Sequence, residues 1–556
     1  MVIIDTSFKR MQKLIGKNIP LKELDEALND IGMEINAVEG DEVKIEITAE
    51  RTDLITPEGL ARAVGCYKGY TKKFKEIDVR KGNYVHKVEP SVKKYRPITR
   101  SFVVKNLKFT DEDIKSLMRV QEKIHDTYGR KRKKIAIGVY DLDNIKFPVI
   151  YSAKKPEDIK FVPLEMDVEL NGRQILQKHP TGRDYAHLLE GFDKYPVQSD
   201  SAKQVLSMPP IINSENLGRI NPKTTNLFVE ATGTDDEALD NIMNILATMF
   251  YDWGGAVYSV SIDDGVTVSV CPNLKVRKRK VSVQFINRWI GLDLKPKDMI
   301  NLLYRMGYDV LENSGDNITV KIPSVRTDIW HDADIADDVA RGYGFNNIKP
   351  TLPNISTIGK MLPLNIFIED VCDFMSTLDL LEVKTFALTS ENDQFVKLNV
   401  KEWDYISLGK NTQDKSVNMV RVWMLPELMK ALVANRNREY PQRIYEAGTV
   451  VIPDNNADVK CKNVVRLGCM LCEERADFTK IKQVFDALMD YLGKKYEIAE
   501  AEHSSFIEGR VGRVIVDGKK VGFIGEMHPK VLDNHGMKMP IAAFELNLTE
   551  LFGLLG

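Results

Sequence analysis

Two stretches of the chain carry the same order of apolar and polar positions. Residues 15–70 and 290–345 align at a constant offset of 275 without a gap, with 14 identities in 56 positions; typical residue frequencies give about three. The shared positions include Ile15-Gly16 with Ile290-Gly291, Leu28 with Leu303, Gly32 with Gly307, and Gly40-Asp41 with Gly315-Asp316. Arg51-Thr52-Asp53 recurs as Arg326-Thr327-Asp328. Each copy predicts a helix stopped by glycine, a hairpin turning at Gly-Asp, an alternating strand and a second helix. Asp53 and Asp328 are expected to cap that second helix.

The second helix differs between the copies. On a 3.6-residue wheel Ile335, Ala336, Val339, Ala340 and Tyr343 fill one arc, with Asp334, Asp337, Asp338 and Arg341 opposite. In the first copy the three acidic positions are Gly59, Arg62 and Ala63, so the repeat unit does not need them. Carboxylates at i, i+3 and i+4, with Asp328 at the preceding turn, can converge on a hard cation such as Mg²⁺. A solvated face with Arg341 bridged to Asp337 or Asp338 is the other reading.

At 556 residues the chain is too long for one core and suggests about three to five domains. With 78 basic against 80 acidic residues it is not basic overall, although local patches can still meet nucleic acid. Two such patches stand out, GRKRKK at 129–134 and KVRKRK at 275–280. Each suits phosphate contact or a solvated loop. Six cysteines make no disulfide framework. Cys469 and Cys472 form a C-x-x-C inside an apolar run, which reads as buried strand thiols, with metal or redox chemistry as the alternative. The N-terminus lacks the long apolar core of a signal peptide, and no run approaches a membrane span. A cytoplasmic location is expected.

Four longer motifs occur in order: HPTGRDYAHLL (179–189), MPPIINSENLGRI (208–220), NLFVEATGTD (226–235) and the acidic helix. With RVWMLPELMKALVANRNREYPQRIYEAG (421–448) and GFIGEMHP (522–529), the chain resembles the beta subunits of phenylalanyl-tRNA synthetase of archaeal and eukaryotic type. The resemblance implies a multi-domain α/β (α+β) chain. Residues 1–88 would be an N-terminal repeat unit, 89–270 an editing domain, 275–350 the second repeat unit with the acidic helix, and 351–556 a class II synthetase-like antiparallel sheet domain. It also implies a Mg²⁺ site shared with the alpha subunit, held here by Asp328, Asp334, Asp337 and Asp338. An α2β2 heterotetramer would join phenylalanine to tRNA(Phe) with ATP.

Residues 89–270 would then hydrolyse misacylated tyrosyl-tRNA(Phe). The need is physical: a hydrophobic pocket rejects a substrate that adds one hydroxyl by only about 10². Ester hydrolysis requires a positioned water and donors for the oxyanion. Glu230, Thr232, Thr234 and Asp235, at a strand end that breaks at Gly233, are the first candidates, followed by Ser214 and His179. Thr-Gly-Thr-Asp is equally a helix N-cap. No Ser-His-Asp or Cys-His constellation stands out, so hydrolysis by water without a covalent intermediate is expected.

The C-terminal third has no G-x-G-x-x-R and no Arg-x-Glu in its loop, so aminoacylation is expected in the alpha subunit. A free-standing deacylase or RNA-binding protein is the rival reading. About 200 residues of inactive catalytic fold argue against it, since that exceeds a typical whole domain. A purely structural scaffold is the third.

Overall fold

The computed structural model describes residues 2–72, 74, 76–409, 414 and 416–555. The chain forms a mixed α/β structure with several sheets, in two compact units, Met1–Leu352 and Pro353–Gly556.

In the first unit the same elements occur twice. Strand Val2–Ser7, helices Phe8–Ile15 and Leu21–Asp30, and strand Glu42–Ile47 recur as Arg277–Ser282, Val283–Ile290, Pro296–Arg305 and Asn317–Ile322, each 275 residues on. Alternation fixes the strands: Val43, Ile45 and Ile47 are buried, as are Ile318, Val320 and Ile322. Gly16 and Gly291 end matching helices at φ +73° and +70°, where a side chain would be strained.

Asp53 and Asp328 do not cap the helices that follow. Each chelates the arginine two residues before it: Arg51 Nε and Nη2 reach Asp53 at 2.9 Å, and Arg326 Nη2 reaches Asp328 at 2.7 Å. A two-oxygen bond to a guanidinium outcompetes one amide. Thr56 caps the first copy's helix instead, accepting from Gly59 N at 3.0 Å.

Between the copies lies a ten-stranded sheet. Its order is Ile212–Asn213, Val205–Met208, Tyr195–Ser199, Val149–Lys154, Val79–Val88, Ala256–Asp263, Ile98–Lys105, Leu227–Gly233 and Ile135–Asp141, with Val268–Cys271 added beside Ala256–Asp263. Strand Val79–Val88 is thus central here, pairing parallel with both neighbours, rather than part of the N-terminal copy. The sheet curls until its ends meet: Tyr140 Oη, on one edge strand, lies 2.8 Å from Ser207 Oγ, next to the other edge.

The second unit holds a seven-stranded sheet, ordered Leu381–Glu382, Gln442–Pro453, Cys461–Cys472, Ile541–Asn547, Lys519–Met527, Phe506–Val516 and Glu497–Glu500. Only the first pair is parallel. Helix Leu425–Ala434 packs on it where Gly468 leaves space: a Cβ there would lie 2.9 Å from Leu428 and 3.0 Å from Met424. Cys469 and Cys472 are buried and unbridged on this sheet, and burial pushes the Cys472 thiol up to about 12. A thiolate-selective reagent is therefore expected to label Cys461, which is partly exposed, before either of them. Peptide mapping after brief alkylation checks this. Among the described residues, no helix is long and apolar enough to cross a membrane.

Candidate functional site

The curl of the large sheet, closed by helix Asp111–Asp126, encloses a cavity of about 230 Å³. Leu117, Ile137, Val139, Ile211 and Ile220 give it apolar walls, and Glu230, Thr232 and His179 also line it. Glu230 sits on strand Leu227–Gly233, next to the edge strand Ile135–Asp141, and is 2% exposed. Its Oε1 accepts from Tyr140 Oη at 2.9 Å, while Oε2 has no hydrogen-bond partner. Burial raises its pKa to about 7 against the opposing pull of Tyr140, Arg96 and the neighbouring Gln198 amide. A buried acceptor without a hydrogen bond on the wall of a cavity suits a donor from a ligand, with the equally unpartnered Gln198 Nε2 as its neighbour in the chain.

His179 faces the same cavity. Its Nε2 lies 3.0 Å from the Leu164 carbonyl oxygen, and its Nδ1 is buried without a partner. A carbonyl can only accept, so the proton sits on Nε2 and Nδ1 keeps its lone pair, as a general base requires. Thr232 Oγ1 accepts from Arg96 Nε at 2.9 Å, and its carbonyl from Arg96 Nη2 at 2.6 Å. Arg96 is buried, which draws its pKa down to about 10.

The other candidates lie outside the cavity lining. Asp235 caps helix Asp236–Asp252, accepting from Ala238 N at 2.9 Å, and pairs with Lys134 at 3.0 Å. Thr234 faces a separate groove. Ser214 is buried with Oγ unpartnered, next to Asn213, which does line the cavity. Sequence reasoning missed Tyr140, Arg96 and Ser207. The available signal was Gly138 in mid-strand, a mark of close approach. A Cβ there would lie 2.1 Å from Tyr140 Oη and 2.6 Å from Glu230 Oε1.

The acidic helix Asp332–Tyr343 is built differently. Asp338 is buried between Arg326 Nη2 at 2.6 Å and Tyr308 Oη at 2.5 Å. The carboxyl of Asp328 is pushed up by burial, but Arg326 and Arg51 hold it below the usual range. Asp334 accepts from the backbone N–H groups of Trp330 and His331, both at 2.7 Å, and Asp337 pairs with Arg341 at 2.7 Å. No group of three or more His, Cys, Asp or Glu among the described residues is placed to hold a metal ion. With Arg326 between Asp328 and Asp338, the four carboxylates of this chain do not fit a divalent ion. In the basic run at 275–280 two arginines are tied to the chain, Arg277 to Ile329 O at 2.8 Å and Arg279 to Asp332 and Trp330 O, while Lys275, Lys278 and Lys280 are exposed.

Two family profiles match the chain: "Phenylalanyl tRNA synthetase beta chain CLM domain" over 348–548 and "tRNA synthetase B5 domain" over 279–345. The phenylalanine–tRNA ligase beta subunit of Archaeoglobus fulgidus is 38% identical, over 99% of each chain. That of Thermococcus onnurineus is 36% identical, over 99% of this chain and 98% of the other. The crystal structure of an N-terminal fragment of the Pyrococcus horikoshii phenylalanyl-tRNA synthetase beta subunit superposes with a TM-score of 0.59. It is 33% identical, covering 61% of this chain and 99% of the fragment.

Proposed function

Because this chain belongs to the phenylalanine–tRNA ligase beta-subunit family, we propose that it works with an alpha subunit in the cytoplasm. As an α2β2 heterotetramer the two attach phenylalanine to tRNA(Phe) with ATP and Mg²⁺, and this chain removes tyrosine attached in error. The reaction with ATP belongs to the alpha subunit, since residues 351–556 lack the arginine motifs of an active class II domain. A free-standing deacylase fits less well, because the chain matches beta subunits over their whole length.

One observation carries the editing assignment: the unpartnered Oε2 of Glu230, buried in the wall of a cavity with apolar and polar sides. A tyrosyl side chain fills such a cavity and its phenolic O–H donates to that oxygen. A phenylalanyl group would leave the acceptor unpaired, and a site of this kind rejects the analogue lacking the hydroxyl far better than an apolar pocket rejects an added one. His179 Nδ1 then receives a proton from the attacking water. Of the four aspartates only Asp337 is exposed, so a Mg²⁺ shared with the alpha subunit would rest mainly on ligands from the partner. No step of editing passes through it.

The test is hydrolysis of preformed tyrosyl-tRNA(Phe) and phenylalanyl-tRNA(Phe) by the co-expressed two-subunit enzyme. Equal rates for the two esters would overturn the reading. The pH dependence has a definite sign. Glu230 titrates at about 7 in the folded chain, and its ionised form accepts the stronger hydrogen bond. Tyrosine-over-phenylalanine selectivity is therefore expected to rise through pH 7 in the wild type and to stay flat in Glu230→Gln. The same shift opposes stability. Between about 4.3, the unperturbed glutamate value, and 7 the folded chain holds a proton that the unfolded chain releases. The contribution of Glu230 to stability therefore declines as pH rises across that window.

A further inference from the structure

Beside the editing cavity lies a second concavity, a groove of about 490 Å³. It shares Pro210 with the cavity, and Arg96, which bonds to Thr232 of the cavity wall, lines it. Its other walls include Arg130, Lys131 and Lys133 on one side and Tyr95 and Phe192 on another. The two rings meet edge to face at 5.1 Å.

The basic side has an unusual backbone. Arg130, Lys131 and Arg132 are consecutive in the left-handed region, at φ +50°, +51° and +65°. Left-handed helical geometry costs about 1–2 kcal/mol per residue for non-glycine residues, and such strain persists only where surrounding structure enforces it. Here Arg132 N donates to His125 O at 3.0 Å and Lys134 N to Gly129 O at 2.8 Å. The Arg132 side chain anchors the loop, reaching Ile211 O at 2.8 Å and Glu122 at 2.9 Å and stacking 4.5 Å over Tyr185. Its neighbours are left out: Arg130, Lys131 and Lys133 are exposed and make no salt bridge among the described residues. The loop therefore holds three exposed cations in a fixed array beside the cavity, with Arg130 also near Asp235.

We propose that this groove binds the single-stranded 3′ end of the acylated RNA, resting on the editing assignment above. Arg130, Lys131 and Lys133 contact successive phosphates, and a base lies against Tyr95 and Phe192. An ester held in the cavity is joined to a polynucleotide that must leave past a neighbouring wall. A cationic groove with aromatic faces is what an unpaired strand binds.

The test is the Arg130→Gln, Lys131→Gln, Lys133→Gln triple variant in the complete two-subunit enzyme. KM for tyrosyl-tRNA is expected to rise about tenfold or more. The salt dependence of kcat/KM should flatten by about two logarithmic units per decade, at about 0.7 per single-strand phosphate contact. Tyrosyl-adenosine, which carries the ester but no phosphate, should be hydrolysed at the wild-type rate, and phenylalanine attachment should be retained. An unchanged KM and salt slope, or an equal loss with tyrosyl-adenosine, would overturn the proposal. A fluorescent CCA trinucleotide separates this from the editing assignment. If the wild type hydrolyses neither ester but binds the trinucleotide, and the triple variant does not, the cavity reading fails and the groove stands. A wild type that does not bind it sinks the groove.

Discussion

Hydrolysis of tyrosyl-tRNA by a His179→Gln enzyme is expected to fall about 10²–10⁴-fold, the usual worth of a general base. Phenylalanyl-tRNA hydrolysis should fall with it, because the base acts on water and not on the ring. Glutamine can still donate to Leu164 O, which now takes the Nε2 proton at 3.0 Å, but its amide oxygen is not basic. Glu230→Leu should behave differently. It removes the acceptor for the phenolic hydroxyl and leaves that hydroxyl buried and unpaired. Together these amount to about 3–4 kcal/mol, or roughly 10²–10³ in rate. Phenylalanyl-tRNA should be hydrolysed as before, so the two rates converge. Both variants should retain attachment of phenylalanine. A Glu230→Leu enzyme that slows on both esters alike would remove Glu230 from discrimination and leave it a structural role.

The second large effect lies in the acidic helix. Asp338→Ala takes a carboxylate from between Arg326 and Tyr308, both buried. Breaking a buried pair from one side costs about 3–5 kcal/mol. Native-state hydrogen exchange of the helix amides from Ile335 onward reads this locally, and exchange there should quicken by about 10²–10³·⁵. Asp337→Ala, which removes the exposed member of an i,i+4 pair and leaves Arg341 its bond to Ile31 O, should change it by less than tenfold. Equal effects would mean that the charge of the helix face, rather than the buried cluster, stabilises it. Added Mg²⁺ should leave the wild-type exchange unchanged in the absence of the alpha subunit.

The duplication was legible because its offset never changes and because each copy carries its own punctuation, Gly16, Gly32 and Gly40 against Gly291, Gly307 and Gly315. Glu230 and Thr232 were legible as polar side chains alternating on an otherwise apolar strand. Tyr140, Arg96 and Ser207 were not: Tyr140 lies on one strand paired with that of Glu230 and Arg96 just before the other, Ser207 meets Tyr140 only through the curl of the sheet, and no local pattern encodes which strands pair or which ends a curl brings together. The caps assigned to Asp53 and Asp328 failed for a local reason: an arginine two residues upstream competes for both carboxylate oxygens. Strand Val79–Val88, with Arg80, Lys81 and Lys87 among its residues, carries too many charges to announce itself as the centre of a sheet.

The meeting of the sheet's two ends at Tyr140 and Ser207 has a consequence for how the chamber can change. Where strands form the wall it is a backbone ladder, and widening it there would mean breaking several backbone hydrogen bonds together. At this seam side chains do the joining: the phenol of Tyr140 touches Glu230 and Ser207 at once, and Arg132 reaches Ile211 O. The shape of the chamber and the setting of its acidic group thus meet in one side chain, Tyr140, and selection can retune both together at that position while the rest of the scaffold stays as it is.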